Sequence, residues 1–275
     1  MAYALSLDET EKSILRVARD QLDGAVEGLK HPSDPVEAVH DARKRIKKSR
    51  ALLRLARPVM RPRAFRATNR ALRDQGRALS GARDADVLVE TVDALADRYA
   101  GRLPKANFDS ARGRVRRQPG AAPPEHDLRA VAAAADDWPV GGVKQETLVR
   151  ALTDTYAQGR QAYRAAGKEP TTELLHEWRK RVKDLWYQQQ LLKRLWPDVM
   201  KALAGQAKSL SKLLGSDHDL GVLAEELPPD SPLLPLIADR RAELQHDAFA
   251  LGARVYAESP KAFRKRVRGY ARAVA

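Results

Sequence analysis

The 275-residue chain has no cysteine, which excludes disulfides and thiolate chemistry and suits a reducing compartment. Aromatic residues make up only 5% of it, too few for the rows of stacking platforms that bind unpaired bases. No apolar run approaches the roughly 18 residues of a membrane span. The opening MAYALSLDETEK has no basic start followed by an apolar stretch, so no secretory signal is expected. A P-loop, an acidic pair for Mg²⁺ and a Ser or Cys nucleophile with a matched base are all missing, so no enzyme is expected. Acidic residues are in deficit as well: 36 Asp and Glu against 50 Lys and Arg leave a net charge of +14, which points to a polyanionic partner. With 43% apolar and 31% charged residues, the expectation is a soluble, globular, cytoplasmic protein.

What the chain does have is a repeat. His40-Asp-Ala-Arg43-Lys44-Arg45-Ile-Lys47 returns 136 residues later as His176-Glu-Trp-Arg179-Lys180-Arg181-Val-Lys183. At an offset of 135, Arg66, Arg73 and Arg77 map onto Lys201, Lys208 and Lys212, and 79–88 (LSGARDADVL) maps onto 214–223 (LGSDHDLGVL). The repeat preserves cations together with apolar positions, so each unit supplies both a core and an anion-facing surface. The charge follows it. Residues 40–83 hold 15 Lys and Arg against 2 acidic residues, and 176–212 hold 9 against 3, leaving −5 for the rest of the chain. A compositional bias would spread arginine evenly.

Apolar spacing predicts helices throughout. The first covers 8–29, the second starts at the Asp34-Pro35 cap and runs to about Arg57, and two more cover 63–80 and 84–101. Breaker-rich 118–125 (QPGAAPPE) and 138–142 (WPVGG) mark a boundary. The plan then restarts with helices over 143–166, 172–195, 198–214, 218–227, 233–257 and 260–271. The expected organisation is therefore all-α: a first bundle repeat over 1–125, a linker over 126–142 and a second repeat over 143–275, in tandem.

With His40 as the origin of a helical wheel, Arg43, Lys44, Lys47 and Arg54 fall within about 60°, and Arg50 lies a little beyond. Ala42, Ile46, Ser49, Leu53 and Ala56 form the opposite, apolar stripe. In the second copy Arg179, Lys180, Lys183, Tyr187, Gln190 and Arg194 gather around His176, opposite Trp178, Val182, Leu185, Gln189 and Leu192. Arg66, Arg70, Arg73 and Arg77 form one stripe on the next helix, matched by Lys201, Lys208 and Lys212. Like charges at i, i+4 repel, and an ordinary solvated face interleaves both signs. Stripes of one sign that face each other would focus positive potential into a groove for a long, thin polyanion.

The stretches VHDARKRIKKSRALL (39–53), SGARDADVL (80–88), LHEWRKRVKDLWYQ (175–188) and LGSDHDLGVL (214–223) resemble the CHAD domain family, the conserved histidine α-helical domains. The resemblance covers nearly the whole chain. It implies two pseudo-symmetric four-helix bundles around a basic central groove or cavity that binds inorganic polyphosphate. It carries His40, Arg43, Lys44, Lys47, His176, Arg179, Lys180 and Lys183 into the cavity, with Arg73, Arg77, Lys208 and Lys212 before the Asp motif. It also makes polyphosphate granules and polyphosphate-metabolising proteins expected partners. The sequence departs from the family pattern at Leu79-Ser80-Gly81, and Asp86 has Gly221 as its counterpart. No ExExK strand motif is present, so a stand-alone module without a cofactor is expected.

Rival readings attach to the histidines. Glu37-x-x-His40 and Glu173-x-x-His176 are half of a carboxylate-bridged di-metal template, but cations at i+3 and i+4 oppose metal binding. A phosphorelay histidine explains one basic neighbour but not whole stripes. The histidines could instead fix helix packing, or act as ligand donors whose cationic form is favoured beside phosphate, tuning the site with pH. Nucleic acid is the strongest alternative ligand, disfavoured by the shortage of stacking aromatics. Asp84, Asp86 and Asp219 read as helix caps or as salt-bridge partners of a nearby Arg or His.

Overall fold

The computed structural model describes residues 3–79, 81–116 and 128–274, with backbone alone for 81–84. Eleven α-helices and no strand are found among these residues. They are α1 (Thr10–Gly28), α2 (Pro35–Ala56), α3 (Pro62–Ala78), α4 (Gly81–Arg98), α5 (Lys105–Arg116) and α6 (Leu128–Ala133). The second half contributes α7 (Gln145–Lys168), α8 (Thr172–Leu191), α9 (Pro197–Glu226), α10 (Leu233–Val255) and α11 (Pro260–Ala273). Among the described residues no helix is long and apolar enough to cross a membrane.

The starts of the helices that carry the repeat are set locally. Asp34 accepts hydrogen bonds from the backbone N–H groups of Val36 and Glu37, and Pro35 occupies the first position of α2, where its missing N–H costs nothing. Thr171 caps α8 by accepting from Leu174 N–H at 3.3 Å. Both helices run into a single 3₁₀ turn, Arg57–Val59 and Lys193–Leu195, and both following helices begin with proline.

Two features differ from expectation. Residues 198–214 and 218–227 do not form separate helices; they belong to the unbroken 30-residue α9. Gly215 is the only strong breaker in Leu214-Gly215-Ser216-Asp217, and both Gly215 and Asp217 are buried within the helix. Asp217 accepts from Arg241 at 3.0 Å and Gln245 at 2.8 Å, so packing against α10 holds the helix continuous. Asp219 therefore sits inside a helix and caps none. In addition, α5 and α6 fill stretches where no helix was expected. The breaker-rich 118–125 falls within 117–127, outside the described residues.

The core does not divide at the boundary between the repeats. One apolar cluster unites Ile14, Leu22, Ile46 and Leu53 of the first half with Leu152, Trp178, Val182 and Phe263 of the second. Leu128, Ala132, Trp138 and Val140, from the segment expected as a linker, are buried in the same cluster. A second cluster joins Leu88, Val92, Phe108 and Val115 to Leu220, Leu223, Leu233 and Ile237. Helix α9 passes through both, its roughly 45 Å length reaching from one to the other. The amino-terminal segment is tied in by a 2.8 Å bond from Leu5 N–H to the carbonyl of Leu191.

Candidate anion-binding site

Helices α2 and α8 lie against each other with their apolar stripes buried. Ala42, Ile46, Ser49, Leu53 and Ala56 on one, and Trp178, Val182, Leu185, Gln189 and Leu192 on the other, are all inaccessible. Gln188 donates to the Ala51 carbonyl at 3.3 Å, and Arg54 meets Asp184 at 2.9 Å. Burying the apolar stripes fixes the rotation of both helices and leaves their basic faces to line open space.

That space consists of two adjoining cavities. The larger, of about 1000 Å³, lies among α2, α3, α7 and α8; the smaller, of about 560 Å³, continues among α2, α4, α8 and α9. Arg43, Lys47, Arg50, Arg54, His176, Lys180 and Arg181 line both. Arg73 and Arg77 line the larger alone; His40, Arg179, Lys183 and Tyr187 line the smaller alone. Among the described residues, twelve Lys and Arg side chains face four carboxylates, Glu90, Asp154, Asp184 and Asp219. Like charges crowded next to a partly dry wall are costly unless an anion joins them.

The expense shows in the titration of individual groups. Burial pushes Lys183 down to about 7, helped by Arg179, Lys47 and Arg43 and only partly offset by Asp219. Burial likewise lowers Arg179, and it takes Arg50 to about 10, with Arg54 adding to the effect. His176 is held down at about 4 by burial and by its neighbour His218, whose ring centroid is 4.6 Å away. The His176 Nδ1, His218 Nδ1 and Arg179 Nε atoms are buried with no hydrogen-bond partner. Without a ligand His176 is therefore neutral at physiological pH. Asp184 is the exception in sign. Burial raises its carboxyl against the pull of Arg54 and Arg181, and it stands where the first copy has Lys48.

Seven of the expected site residues line neither cavity. Lys44 turns to the α1 side of α2, pairs with Asp41 at 3.3 Å and borders a shallow hollow with Asp20 and Lys48. Arg66 and Arg70 are exposed on the first turns of α3, and Arg194 is exposed in the 3₁₀ turn after α8. Lys201, Lys208 and Lys212 are exposed along α9, with the Lys208 ammonium 5.9 Å from the Trp186 ring. The matched stripe on α9 therefore does not mirror the one on α3. Reading the sequence missed Arg57, Arg150, Arg181 and His218. Two of these carried a signal: Arg181 ends the repeated Arg-Lys-Arg, and His218 aligns with Arg83. Arg150 on α7 carried none, because only the packing of α7 against α2 brings it in.

Asp219 keeps the salt-bridge part of its expected role, lying 4.0 Å from Arg179. Gly221, where the first copy has Asp86, leaves room for the Arg241 guanidinium, which a Cβ would meet at 3.4 Å. Of the two ExxH pairs, the first gathers Glu37, His40 and Asp41 on one turn of α2, with Glu37 Oε1 3.4 Å from His40 Nδ1. That turn is open to solvent, and Lys44 already engages Asp41.

Residues 13–228 match the family model of the CHAD domain, a span from α1 to the end of α9 that leaves α10 and α11 outside. No curated protein matches the chain.

Proposed function

The chain belongs to the CHAD domain family, and on that premise we propose that it binds inorganic polyphosphate, without chemical turnover, in the two adjoining cavities between its paired basic helices. The observation that carries this reading is the excess of twelve cations over four carboxylates around a walled space. A linear phosphate chain brings about one negative charge per phosphate and no bases to accommodate. Its oxygens would take paired N–H donors from Arg43, Arg50, Arg54, Arg73 and Arg77, whose planar forks suit two oxygens at once. Lys47, Lys180 and Lys183 would act as mobile point charges along the same path. Each cation that meets a phosphate also releases counterions, so affinity would fall steeply with salt.

Nucleic acid satisfies the same electrostatics, and the cavity lining argues against it. Phe65 and Tyr187 are the only Phe, Tyr or Trp side chains among the lining residues, and Tyr187 is buried, so bases would find no stacking row. In this reading the protein acts in the cytoplasm, where it would associate with polyphosphate granules or with proteins that make or consume the polymer. The test is displacement of labelled long-chain polyphosphate at near-physiological salt by single-stranded DNA, duplex DNA, RNA, heparin and triphosphate. Displacement by unlabelled polyphosphate alone supports a cavity suited to a phosphate chain. Equal displacement by nucleic acids would replace that reading with general polyanion binding.

A further inference from the structure

On the wall of the smaller cavity, α8 and α9 bring two imidazoles together. The His176 and His218 rings are 4.6 Å apart and inclined at 40°, and each has a buried Nδ1 without a hydrogen-bond partner. Around them α8 supplies Arg179, Lys180 and Lys183, and α2 supplies Arg43 and Lys47. From α10, Arg241 adds a further positive charge. The compensating carboxylates are few and mostly committed elsewhere. Asp217 is taken by Arg241 and Gln245, Glu177 by Lys180 and Arg181, and Asp219 is 4.0 Å from Arg179. Glu90 of α4 lies on the wall of the same cavity.

So many cations cannot share a partly dry space at full charge. A guanidinium cannot give up its proton at working pH, but an imidazole can. The sequence repeat makes the point sharper. His218 occupies the position held by Arg83 in the first copy, so a permanent charge there is exchanged for a titratable one here.

We propose that His218, together with His176, is a proton-linked part of the anion site, so that a phosphate chain entering the smaller cavity binds along with protons drawn from solvent. This rests on the polyphosphate reading above and adds to it a residue and a thermodynamic signature. The incoming anion supplies the opposite charge that the empty pocket lacks, and it converts the pair from neutral to cationic. Burial holds both imidazoles below their ordinary range in the empty site, with His218 adding to the effect on His176 and Arg179 to that on His218, so both are free to take up a proton when an anion arrives at mildly acidic pH.

The experiment is calorimetric titration with long linear polyphosphate at about pH 6, in two buffers of different ionisation enthalpy. Long chains keep terminal phosphates rare. Lys183, at about 7, is mostly protonated there already, so the uptake reads the histidines. The expected result is uptake of about one proton per bound protein, and affinity that falls roughly tenfold per pH unit above that point. His218→Arg should remove most of the uptake and flatten the pH dependence, whereas His246→Gln, on the exposed face of α10, should keep both as in the wild type. Equal heats in the two buffers with binding intact would overturn the proton linkage and leave polyphosphate binding standing. Uptake unchanged in His218→Arg would overturn the assignment to His218. Absence of polyphosphate binding in both buffers would bring down the underlying reading and this one with it.

Discussion

Replacing Lys183 by methionine should make the unliganded protein more stable and its anion binding worse. The ammonium sits in the smaller cavity with Arg179, Lys47 and Arg43 around it, and its pKa falls from 10.5 to about 7. A depression of that size sets a ceiling of about 4–5 kcal/mol on the cost of keeping Lys183 in the folded state at neutral pH. Some water still reaches the side chain, so we take about 2 kcal/mol as the figure to test. The sign follows from the folded pKa lying below the unfolded one. Lys183 penalises the fold fully at and below about pH 7, and the penalty fades as pH rises toward 10.5. Methionine keeps an unbranched side chain, one atom shorter, and removes the charge. The assay is thermal unfolding followed by circular dichroism, with an expected gain of roughly 4–8 °C at neutral pH that shrinks toward about pH 10. Polyphosphate affinity should fall by roughly threefold to tenfold, one contact among many being lost. A Lys183→Met protein that melts below the wild type at neutral pH would refute the argument from uncompensated charge, as would a gain that persists undiminished at high pH.

Other perturbations probe separate parts of the structure. Arg54→Ala leaves the buried Asp184 with the more distant Arg181 at 3.8 Å and the charge of Arg50, and should cost about 2–3 kcal/mol in urea unfolding, less with Arg54→Lys. Replacing Arg73 and Arg77 together by glutamine should reduce the slope of log affinity against log salt by about 1.4, whereas Lys208 and Lys212, outside both cavities, should change it little. Gly252→Ala would set a Cβ 2.6 Å from the Trp178 ring, and should destabilise the fold by about 1–3 kcal/mol with a changed near-ultraviolet signal from that indole.

Helices α2 and α8 were legible because two independent patterns agree on them. A buried apolar stripe fixes their rotation, and the one-signed opposite face lines the two cavities. The failures have a common origin, since a helical wheel gives the phase of a side chain on its own helix and not what that face meets. Lys208 and Lys212 keep the phase of Arg73 and Arg77, yet they look outward along α9. Lys44 lies within the cationic sector of α2 but faces α1 and Asp41. The continuity of α9 was hidden because Gly215-Ser216-Asp217 resembles a turn until Arg241 and Gln245 arrive from α10 to satisfy Asp217. Helix α5 could have been found from Phe108, Ala111 and Val115, all buried and spaced at i, i+3 and i+7.

A core that mixes both halves of the chain has a consequence for synthesis on the ribosome. Leu5 cannot reach its backbone partner until Leu191 has emerged, and the apolar cluster that holds Ile46 and Leu53 lacks Trp178 and Val182 until α8 is made. Throughout that interval the first basic segment, residues 40–83, is out of the exit tunnel without its finished fold. It carries a charge of +13, so the ribosomal RNA beside the tunnel mouth is the first polyanion this protein meets. Completion of α8 is then the step that walls in Arg43, Arg50 and Arg54 and withdraws them from a chance partner. Chains truncated just before α8 should remain ribosome-bound and protease-sensitive, and chains extended beyond Leu191 should release.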